Sequence, residues 1–384
     1  MKIAIDIRSL TAPHKTGVGI VTESLVRTMA AQAPNDTFYL FATGTEDTVM
    51  NLPAFREHNI VLSPVTIPNK IASMLWALPF GPTMERFLPE KPDVWLFPNA
   101  HLLKTKLPYA VIFHDAALRT VPNFFTLKDH LRARVTNEEQ VFKEAKRVIA
   151  VSEHSKLDAT EYYTIPSDRI TVASLGVDHD VYCPREQSSD RSYRAAYDLN
   201  RPYLLALATR EPRKNIDSVV TAYTIFRQQG GQAIPLVLAG AKGWKTRHID
   251  AALAASPYRD DIREVAYVPE KHKAAVIRGA KALLFPSFYE GFGLPVLEAM
   301  ACGTPVITSI SSSLPDVAGN AALYVDPLNI TDIVQALHQL LNEPHGPKLQ
   351  SVLRARGIER AQQFSWEKTG AIVLETLREI TKRS

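Results

Sequence analysis

Short apolar runs alternate with amphipathic segments along nearly the whole chain of 384 residues. The runs are continuously apolar, which is typical of strands that are covered on both faces of a parallel sheet. A first series of strands is predicted at residues 3–6, 38–41, 94–97, 110–113 and 148–151. A second series is predicted at residues 203–208, 235–239, 265–268, 282–285 and 306–308.

Helical patterns separate several of these strands, at residues 21–31, 127–145, 216–228 and 271–279. Strands that alternate with helices are typical of the α/β class, in which helices cover both faces of a parallel sheet. Because a polar stretch at residues 185–194 divides the two series, we expect two doubly wound, Rossmann-like domains. Ligands of such folds bind beside the carboxyl ends of the strands, so a functional site is expected there.

The composition is that of an ordinary globular enzyme, with 46% hydrophobic and 22% charged residues. The net charge of +4 suits an anionic small molecule better than nucleic acid, which would need a clustered basic stripe. The two cysteines, Cys183 and Cys302, form neither a disulfide framework nor a zinc motif. Without a signal peptide or a run of about 18 apolar residues, a cytoplasmic protein is expected.

A glycine-rich turn follows the strand predicted at residues 282–285 and leads into a helix. Gly291 and Gly293 permit a tight bend, and Pro295 suits the first helical position. No Ser, Thr, Asp or Asn stands at the expected N-cap, so the helix N–H groups are open to a phosphate. Glu290 and Glu298 would then accept hydrogen bonds from hydroxyl groups. A phosphate flanked by two hydroxyl-bearing groups is what a nucleotide sugar presents. An ordinary turn with two solvated glutamates is the alternative.

Other polar residues also follow predicted strands. Arg213 and Lys214 suit a diphosphate, although a solvated basic loop is possible from the pattern alone. His114 ends a strand of the first series, where a histidine is more often structural than catalytic. Gly17 and Gly19 form half of a dinucleotide fingerprint, but no ribose-binding acid follows the second strand, which disfavours an NAD site.

These motifs, in their order along the chain, resemble those of the family 4 retaining glycosyltransferases (glycosyl transferases group 1). The resemblance covers residues 3–366 and rests on the segments 113–115, 211–215 and 290–298. It implies the GT-B fold, in which two Rossmann-like domains face a central cleft. The implied acceptor-side domain is 1–182, joined by a C-terminal crossover helix at 365–384, and the nucleotide-sugar domain is 183–364.

The resemblance also implies a role for each candidate residue. His114, Glu290 and Lys214 would be catalytic. The donor would be bound by Gly17, Gly19, Arg213, Lys214, Phe292, Gly293, Leu294 and Glu298. In this scheme the cations stabilise the leaving diphosphate, so neither a metal nor another cofactor is expected. Asp178 and Asp180 have the spacing of a metal-binding pair but match the family's linker segment.

The implied function is retaining transfer of a hexose from a nucleotide diphosphate sugar to a hydroxyl of a glycan or lipid-linked oligosaccharide. Similarity to bacterial mannosyltransferases of lipopolysaccharide O-antigen synthesis favours GDP-mannose as the donor. A nucleotide-sugar epimerase or phosphorylase of the same fold, or a non-catalytic binding module, remains an alternative. Peripheral membrane association is compatible with the apolar segment 71–80, which also fits a core helix, whereas the charged helix at 127–147 is expected to be a solvated face.

Overall fold

A computed structural model describes residues 1–12, 14–78, 80–342 and 344–382. The chain forms two compact units. Unit 1 comprises Met1–Arg119, Leu127–Gly176 and the segment that begins at Trp366, and unit 2 comprises Thr120–Thr126 and Val177–Ser365. Arg383 and Ser384, which end the predicted crossover helix, and Pro79 of the apolar segment lie outside the described residues.

Unit 1 is built on a seven-stranded parallel sheet. Its strands are β1 (Lys2–Asp6), β2 (Thr37–Thr43), β3 (Ile60–Val65), β4 (Val94–Phe97), β5 (Tyr109–Phe113), β6 (Arg147–Ala150) and β7 (Ile170–Val172). Its first helices are α1 (Gly17–Gln32), α2 (Glu46–Met50), α3 (Asn69–Ala77), α4 (Ala117–Thr120), α5 (Leu127–Thr136), α6 (Glu138–Glu144) and α7 (Glu153–Tyr163). The spatial order β3-β2-β1-β4-β5-β6-β7 reverses direction between β1 and β4.

Unit 2 is built on a six-stranded parallel sheet. Its strands are β8 (Tyr203–Leu207), β9 (Leu236–Ala239), β10 (Ile262–Val265), β11 (Ala280–Phe285), β12 (Val306–Ser309) and β13 (Ala322–Val325). Its helices are α8 (Asp190–Ala195), α9 (Ile216–Gln228), α10 (Arg247–Ala255), α11 (Glu270–Arg278), α12 (Leu294–Ala301), α13 (Leu314–Ala318), α14 (Ile330–Leu341) and α15 (Gly346–Ala361). The order β10-β9-β8-β11-β12-β13 reverses between β8 and β11.

The last helix, α16 (Trp366–Lys382), packs with α1 in unit 1. Gly370 lets the two helices approach closely, because a Cβ at this position would lie 2.8 Å from Cγ2 of Thr28. Val373 and Leu377 of the same helix are fully buried. A segment that follows unit 2 in the chain therefore contributes core residues to unit 1.

The two parallel sheets confirm the predicted α/β class, but some predicted elements were wrong in detail. The helix expected at 127–145 divides into α5 and α6 at Asn137, whose φ of 49° is left-handed. Strand β10 ends at Val265, where the prediction began it, and α1 starts at Gly17 instead of Val21.

Strands β3, β7 and β13 were not predicted at all. Each lies at an edge of its sheet, and each contains partly exposed positions. Polar residues or a proline interrupt the apolar runs of β3 and β7, whereas β13 is apolar throughout and is only four residues long.

Candidate active site

The polar loops of unit 2 converge beside β8 and β11, the adjacent strands at which the strand order reverses. Arg213 and Lys214 follow β8, and Glu290 follows β11. The backbone N–H of Phe288 donates to the carbonyl of Arg213 at 2.9 Å, which joins the two loops. In open α/β sheets this point of reversal is where ligands bind.

The turn into α12 depends on Gly293, the N-cap residue. Its φ of 104° is a conformation that side chains other than glycine rarely adopt, and a Cβ would lie 2.6 Å from Cδ2 of Leu314. No side chain caps the helix, as the sequence predicted, although Leu294 takes the first helical position and Pro295 the second. Phe292 is buried, with its ring centroid 5.9 Å from that of Phe364.

Glu290 is a buried carboxylate held by two cations. Its Oε1 accepts from Lys214 Nζ at 2.5 Å, and its Oε2 accepts from Arg213 Nη1 at 2.9 Å. Arg213 also donates to Glu211 Oε1 at 2.8 Å and to the carbonyl of Tyr289 at 2.8 Å. The expected diphosphate-binding cations thus lie together with the first glutamate and pair with it.

Burial alone would raise the pKa of Glu290, but the charges of Lys214 and Arg213 outweigh it and lower the pKa to about 2. The pKa of Lys214 is also lowered, chiefly by burial and by the neighbouring Arg213 charge. Glu290 is therefore ionised at neutral pH and is a weak base, because protonation would break both ion pairs.

Two serines in the segment between β12 and α13 fix the backbone around Glu290. Ser312 Oγ accepts from the N–H of Glu290 at 2.8 Å, and Ser313 Oγ donates to the carbonyls of Glu290 and Phe292 at 2.9 and 3.0 Å. Ser312 has a φ of 53°, which is uncommon for a residue with a side chain. Serines carry no pattern that distinguishes such contacts from ordinary turn chemistry.

Glu298 lies within α12 and pairs with a lysine that sequence reasoning missed. Its Oε1 is 2.7 Å from Lys273 Nζ, and both residues are buried. A lysine in a helix is normally a solvated residue, so its spacing in the sequence carried no signal. Among the residues that the structure describes, Glu298 Oε2 accepts no hydrogen bond.

The glycine pair of unit 1 does not lie in a loop, contrary to the expectation. Gly17 and Gly19 belong to the first turn of α1, where Thr16 is the N-cap and its Oγ1 accepts from the N–H of Gly19 at 3.3 Å. Gly19 packs beside the carbonyl of Ser9, whereas Gly17 is exposed with open space at its Cβ position. The helix begins four residues earlier than predicted because the threonine cap precedes the glycines.

His114 follows β5, as expected, and its ring is held by the backbone. Nε2 lies 2.7 Å from the carbonyl of Pro98, and Ser155 Oγ donates to the carbonyl of His114 at 3.0 Å. Burial lowers the pKa of His114, which favours the neutral ring. Because a carbonyl only accepts, the single ring proton is on Nε2, and Nδ1 is left as an acceptor rather than a donor.

Asp178 of the aspartate pair, and Arg210 in the loop after β8, have structural partners. Asp178 Oδ1 accepts from the N–H groups of Asp180 and Val181 at 3.0 and 3.3 Å, which closes a turn. Arg210 forms an ion pair with Glu264 of β10. Within the described part of the chain, no group of three or more His, Cys, Asp or Glu side chains has the arrangement of a metal site.

Helices α3 and α5 of unit 1 each expose more than one large apolar side chain. In α3, Ala72 and Trp76 are buried, as expected for a core helix, whereas Ile71 and Met74 are exposed. Helix α5 buries none of its residues. Leu127, Leu131 and Val135, spaced four apart, are 88%, 62% and 61% exposed. Of the helices formed by the described residues, none combines the length and hydropathy needed to cross a membrane.

Comparison with known proteins gives matches over both units. Residues 191–363 match the family model for glycosyl transferases group 1, and residues 15–181 match that for glycosyltransferase family 4. The chain is 34% identical to O-antigen chain mannosyltransferase B of Escherichia coli over 271 residues, 70% of each chain. It is 29% identical to the serotype-specific mannosyltransferase WbdA of the same species over 252 residues, 65% of this chain and 30% of WbdA.

The fold is shared with a solved structure at low sequence identity. Sucrose-phosphate synthase from Thermosynechococcus elongatus superposes with a TM-score of 0.77 at 19% identity, and the match covers 100% of both chains.

Proposed function

The chain belongs to the family 4 glycosyltransferases (glycosyl transferases group 1), and from that premise we propose that it transfers mannose from GDP-mannose. Its two parallel sheets are those of the predicted GT-B fold, and it is an enzyme of the hexosyltransferase class. The proposed acceptor is a hydroxyl of a glycan or lipid-linked oligosaccharide. The names of the two E. coli relatives support mannose, since both are mannosyltransferases.

The cluster of Lys214, Arg213 and Glu290 is the observation that carries the proposal. A nucleotide sugar presents a diphosphate beside a sugar ring, and the cluster presents two cations beside a carboxylate. In the proposed complex the cations bind the diphosphate, and Glu290 accepts hydrogen bonds from hydroxyls of the sugar. The N–H groups at the start of α12, next to Gly293 and Leu294, add positive potential for the phosphate.

In the proposed reaction, the bond between the sugar C1 and the diphosphate oxygen breaks while C1 forms a bond to the acceptor oxygen. The acceptor proton passes to the leaving diphosphate, so no further reactant is needed. Lys214 and Arg213 stabilise the negative charge that develops on the leaving group. Glu290 is proposed to bind and not to act as a nucleophile, because its carboxylate is held by both cations.

Residues outside this cluster complete the proposed donor site. Glu298 is proposed to hold the ribose, which its unpartnered buried oxygen supports. His114 is proposed to contact the sugar as a hydrogen-bond acceptor through Nδ1, because its Nε2 proton is already donated to Pro98. Gly17 is proposed to admit the donor at the start of α1, where a side chain is absent. Since two side-chain cations are available to the leaving group, we propose transfer without a metal.

Thermal-shift titration with GDP, UDP, ADP and dTDP, without metal, tests the donor. At a hundredfold excess over its Kd, the matching nucleotide should stabilise the protein by about 2.7 kcal/mol. The matching nucleotide sugar is then incubated with mannose-containing glycans, and both the released nucleotide and the extended glycan are measured. Stabilisation by UDP alone would show that the donor is a UDP-sugar and not GDP-mannose. Donor turnover in the absence of any acceptor would favour the epimerase alternative.

We also propose peripheral attachment to an anionic membrane surface through α5, in place of the solvated face expected from the sequence. Its exposed apolar residues repeat every four positions and so lie along one face. Lys128, Arg132 and Arg134 of the same helix add cations that complement anionic lipid.

Cosedimentation with phosphatidylglycerol vesicles tests this attachment. Leu131→Glu should reduce the bound fraction several-fold, because it places a charge in the apolar stripe. Leu157→Glu, at an exposed position of α7, is the matched control. Equal binding by both variants, or equal binding to phosphatidylcholine vesicles, would contradict the proposal.

A further inference from the structure

Lys273 is an unusual residue for its position in α11. Only 8% of it is exposed, and the four helix residues that follow it are buried and apolar. Burying an ammonium group is costly unless a counter-charge compensates for it. Glu298 of α12 supplies that charge at 2.7 Å, and Glu270 Oε1 lies 3.4 Å from the same nitrogen. The side chain of Lys273 is therefore held inside unit 2 by these two carboxylates.

The carboxylate of Glu298 is only half satisfied by this pairing. Its Oε1 binds Lys273, but Oε2 is buried and accepts a hydrogen bond from no residue that the structure describes. Buried polar atoms of folded proteins are almost always hydrogen-bonded, and a buried polar atom without a hydrogen bond costs about 1–3 kcal/mol of stability. A hydrogen-bond donor from outside the chain would remove that cost.

Lys273 also counteracts the groups that favour protonation of Glu298. Burial and the nearby charge of Glu270 raise the pKa of Glu298 above its ordinary value, and the Lys273 charge limits that rise. The pKa of Lys273 is in turn raised by the two carboxylates, so the lysine stays charged despite its burial. The Tyr182 hydroxyl, which donates to Glu270 Oε2 at 3.4 Å, also interacts with the Glu298 carboxylate and lowers the pKa of Glu298. Cys302 is a further titratable group nearby.

We propose that Lys273 is a positioning residue of the donor site: by binding Oε1 of Glu298, it holds the carboxylate with Oε2 ready to accept a hydrogen bond from a ribose hydroxyl. The inference rests on the proposed function, since it requires a nucleotide beside α12. It goes further by assigning the orientation of the second glutamate to a lysine on a different helix.

The test compares two ligands that differ only in their ribose hydroxyls, GDP and 2′,3′-dideoxy-GDP, or the corresponding uridine pair if titration identifies UDP. A hydrogen bond to a charged group should make the wild type bind the ribose form about 10- to 100-fold more tightly. In Lys273→Met this ratio should fall close to one while the affinity for the dideoxy form is retained. Lys271→Met, at an exposed position of the same helix, should keep the wild-type ratio.

A second variant, Lys273→Gln, keeps a hydrogen-bond donor and covers the case in which the methionine variant does not fold. Because the glutamine amide can still donate to Glu298 Oε1, Lys273→Gln should keep more of the wild-type ratio than Lys273→Met does. A wild-type ratio in Lys273→Met, or an equal loss of affinity for both ligands in either variant, overturns the inference.

The outcome for the wild type separates this inference from the proposed function. If the wild type binds both ligands equally, the assignment of Glu298 to the ribose fails, and the role of Lys273 fails with it. If the wild type discriminates and Lys273→Met discriminates equally well, only the inference about Lys273 fails.

Discussion

Glu290, Arg213 and Lys214 illustrate what a single residue contributes in this protein. Glu290 is buried and the two cations are partly buried, and the carboxylate pairs with both of them before a donor arrives. Such pairing keeps the cations in place at the end of β8, so binding a diphosphate does not require them to be ordered first. The same pairing makes their removal costly, because an uncompensated buried charge remains.

Lys214→Met should weaken nucleoside diphosphate binding about 10- to 100-fold, since one charge-assisted hydrogen bond is lost. Affinity for the free nucleoside should change much less, because the nucleoside has no phosphate. Isothermal titration of both ligands measures the difference, with Lys281→Met, an exposed lysine of β11, as control. Unchanged diphosphate affinity would remove Lys214 from the donor site.

The low pKa of Glu290 predicts a specific dependence of stability on pH. Its folded-state pKa of about 2 is below its ordinary value of 4.5, so the carboxylate stabilises the fold above about pH 4.5. That contribution, up to about 3 kcal/mol, should be lost as the pH falls toward 2.

Urea unfolding of wild type and Glu290→Gln between pH 7 and pH 3 measures this contribution. The wild type should be the more stable at pH 7, and the difference in unfolding free energy should shrink as the pH falls. A difference in unfolding free energy that is constant from pH 7 to pH 3 would show that Glu290 is not paired with Lys214 and Arg213.

At the scale of elements, the reversals of strand order decide where chemistry is possible. Strands β8 and β11 are neighbours, although β9 and β10 lie between them in the chain. Their carboxyl ends therefore bring loops together from residues more than 70 positions apart, as the bond between Lys214 and Glu290 shows. Helix α12 begins in the same place only because its cap residue is a glycine with positive φ.

Gly293→Ala should disturb this junction. The left-handed backbone costs a non-glycine residue about 1–2 kcal/mol, and the new Cβ would also meet Leu314. We expect a lower melting temperature and a loss of nucleotide affinity, because the start of α12 shifts. Gly230→Ala is a useful comparison, since this glycine also has positive φ but has open space around it. Equal effects on nucleotide affinity would contradict a local role for Gly293.

At the scale of the whole molecule, the chain returns to its first unit after completing its second. Helix α16 follows unit 2 in sequence, but its core residues belong to unit 1. Folding of unit 1 therefore needs contacts between residues near both ends of the chain, such as those of α1 with α16.

Leu377→Ala should destabilise unit 1 by about 2–5 kcal/mol, as expected for a leucine that is fully buried. Binding of the donor nucleotide, which we assign to unit 2, should be retained at temperatures where the protein is folded. Differential scanning calorimetry with and without nucleotide measures both effects, and Glu375→Ala, at an exposed position of α16, is the control. A loss of nucleotide affinity comparable to that of Lys214→Met would contradict this separation.

The sequence by itself determined the fold class of this protein and the loops that carry its candidate site, because both depend on the chemistry of neighbouring residues. Continuous apolar runs identified the central strands, because those strands are buried on both faces. The glycine turn at Gly291 and Gly293 and the cations Arg213 and Lys214 were visible because their chemistry is carried by adjacent residues. Resemblance supplied the family, which the comparisons confirmed.

Tertiary structure alone decided which residues meet. The pairing of Glu290 with two cations, the support of Glu298 by Lys273 and the bond from His114 to Pro98 all join positions far apart in the chain. The edge strands β3 and β7 were likewise hidden, because polar residues or a proline interrupt their apolar runs. Burial and charge are properties of a folded environment, so no periodicity along the chain could have revealed these partners.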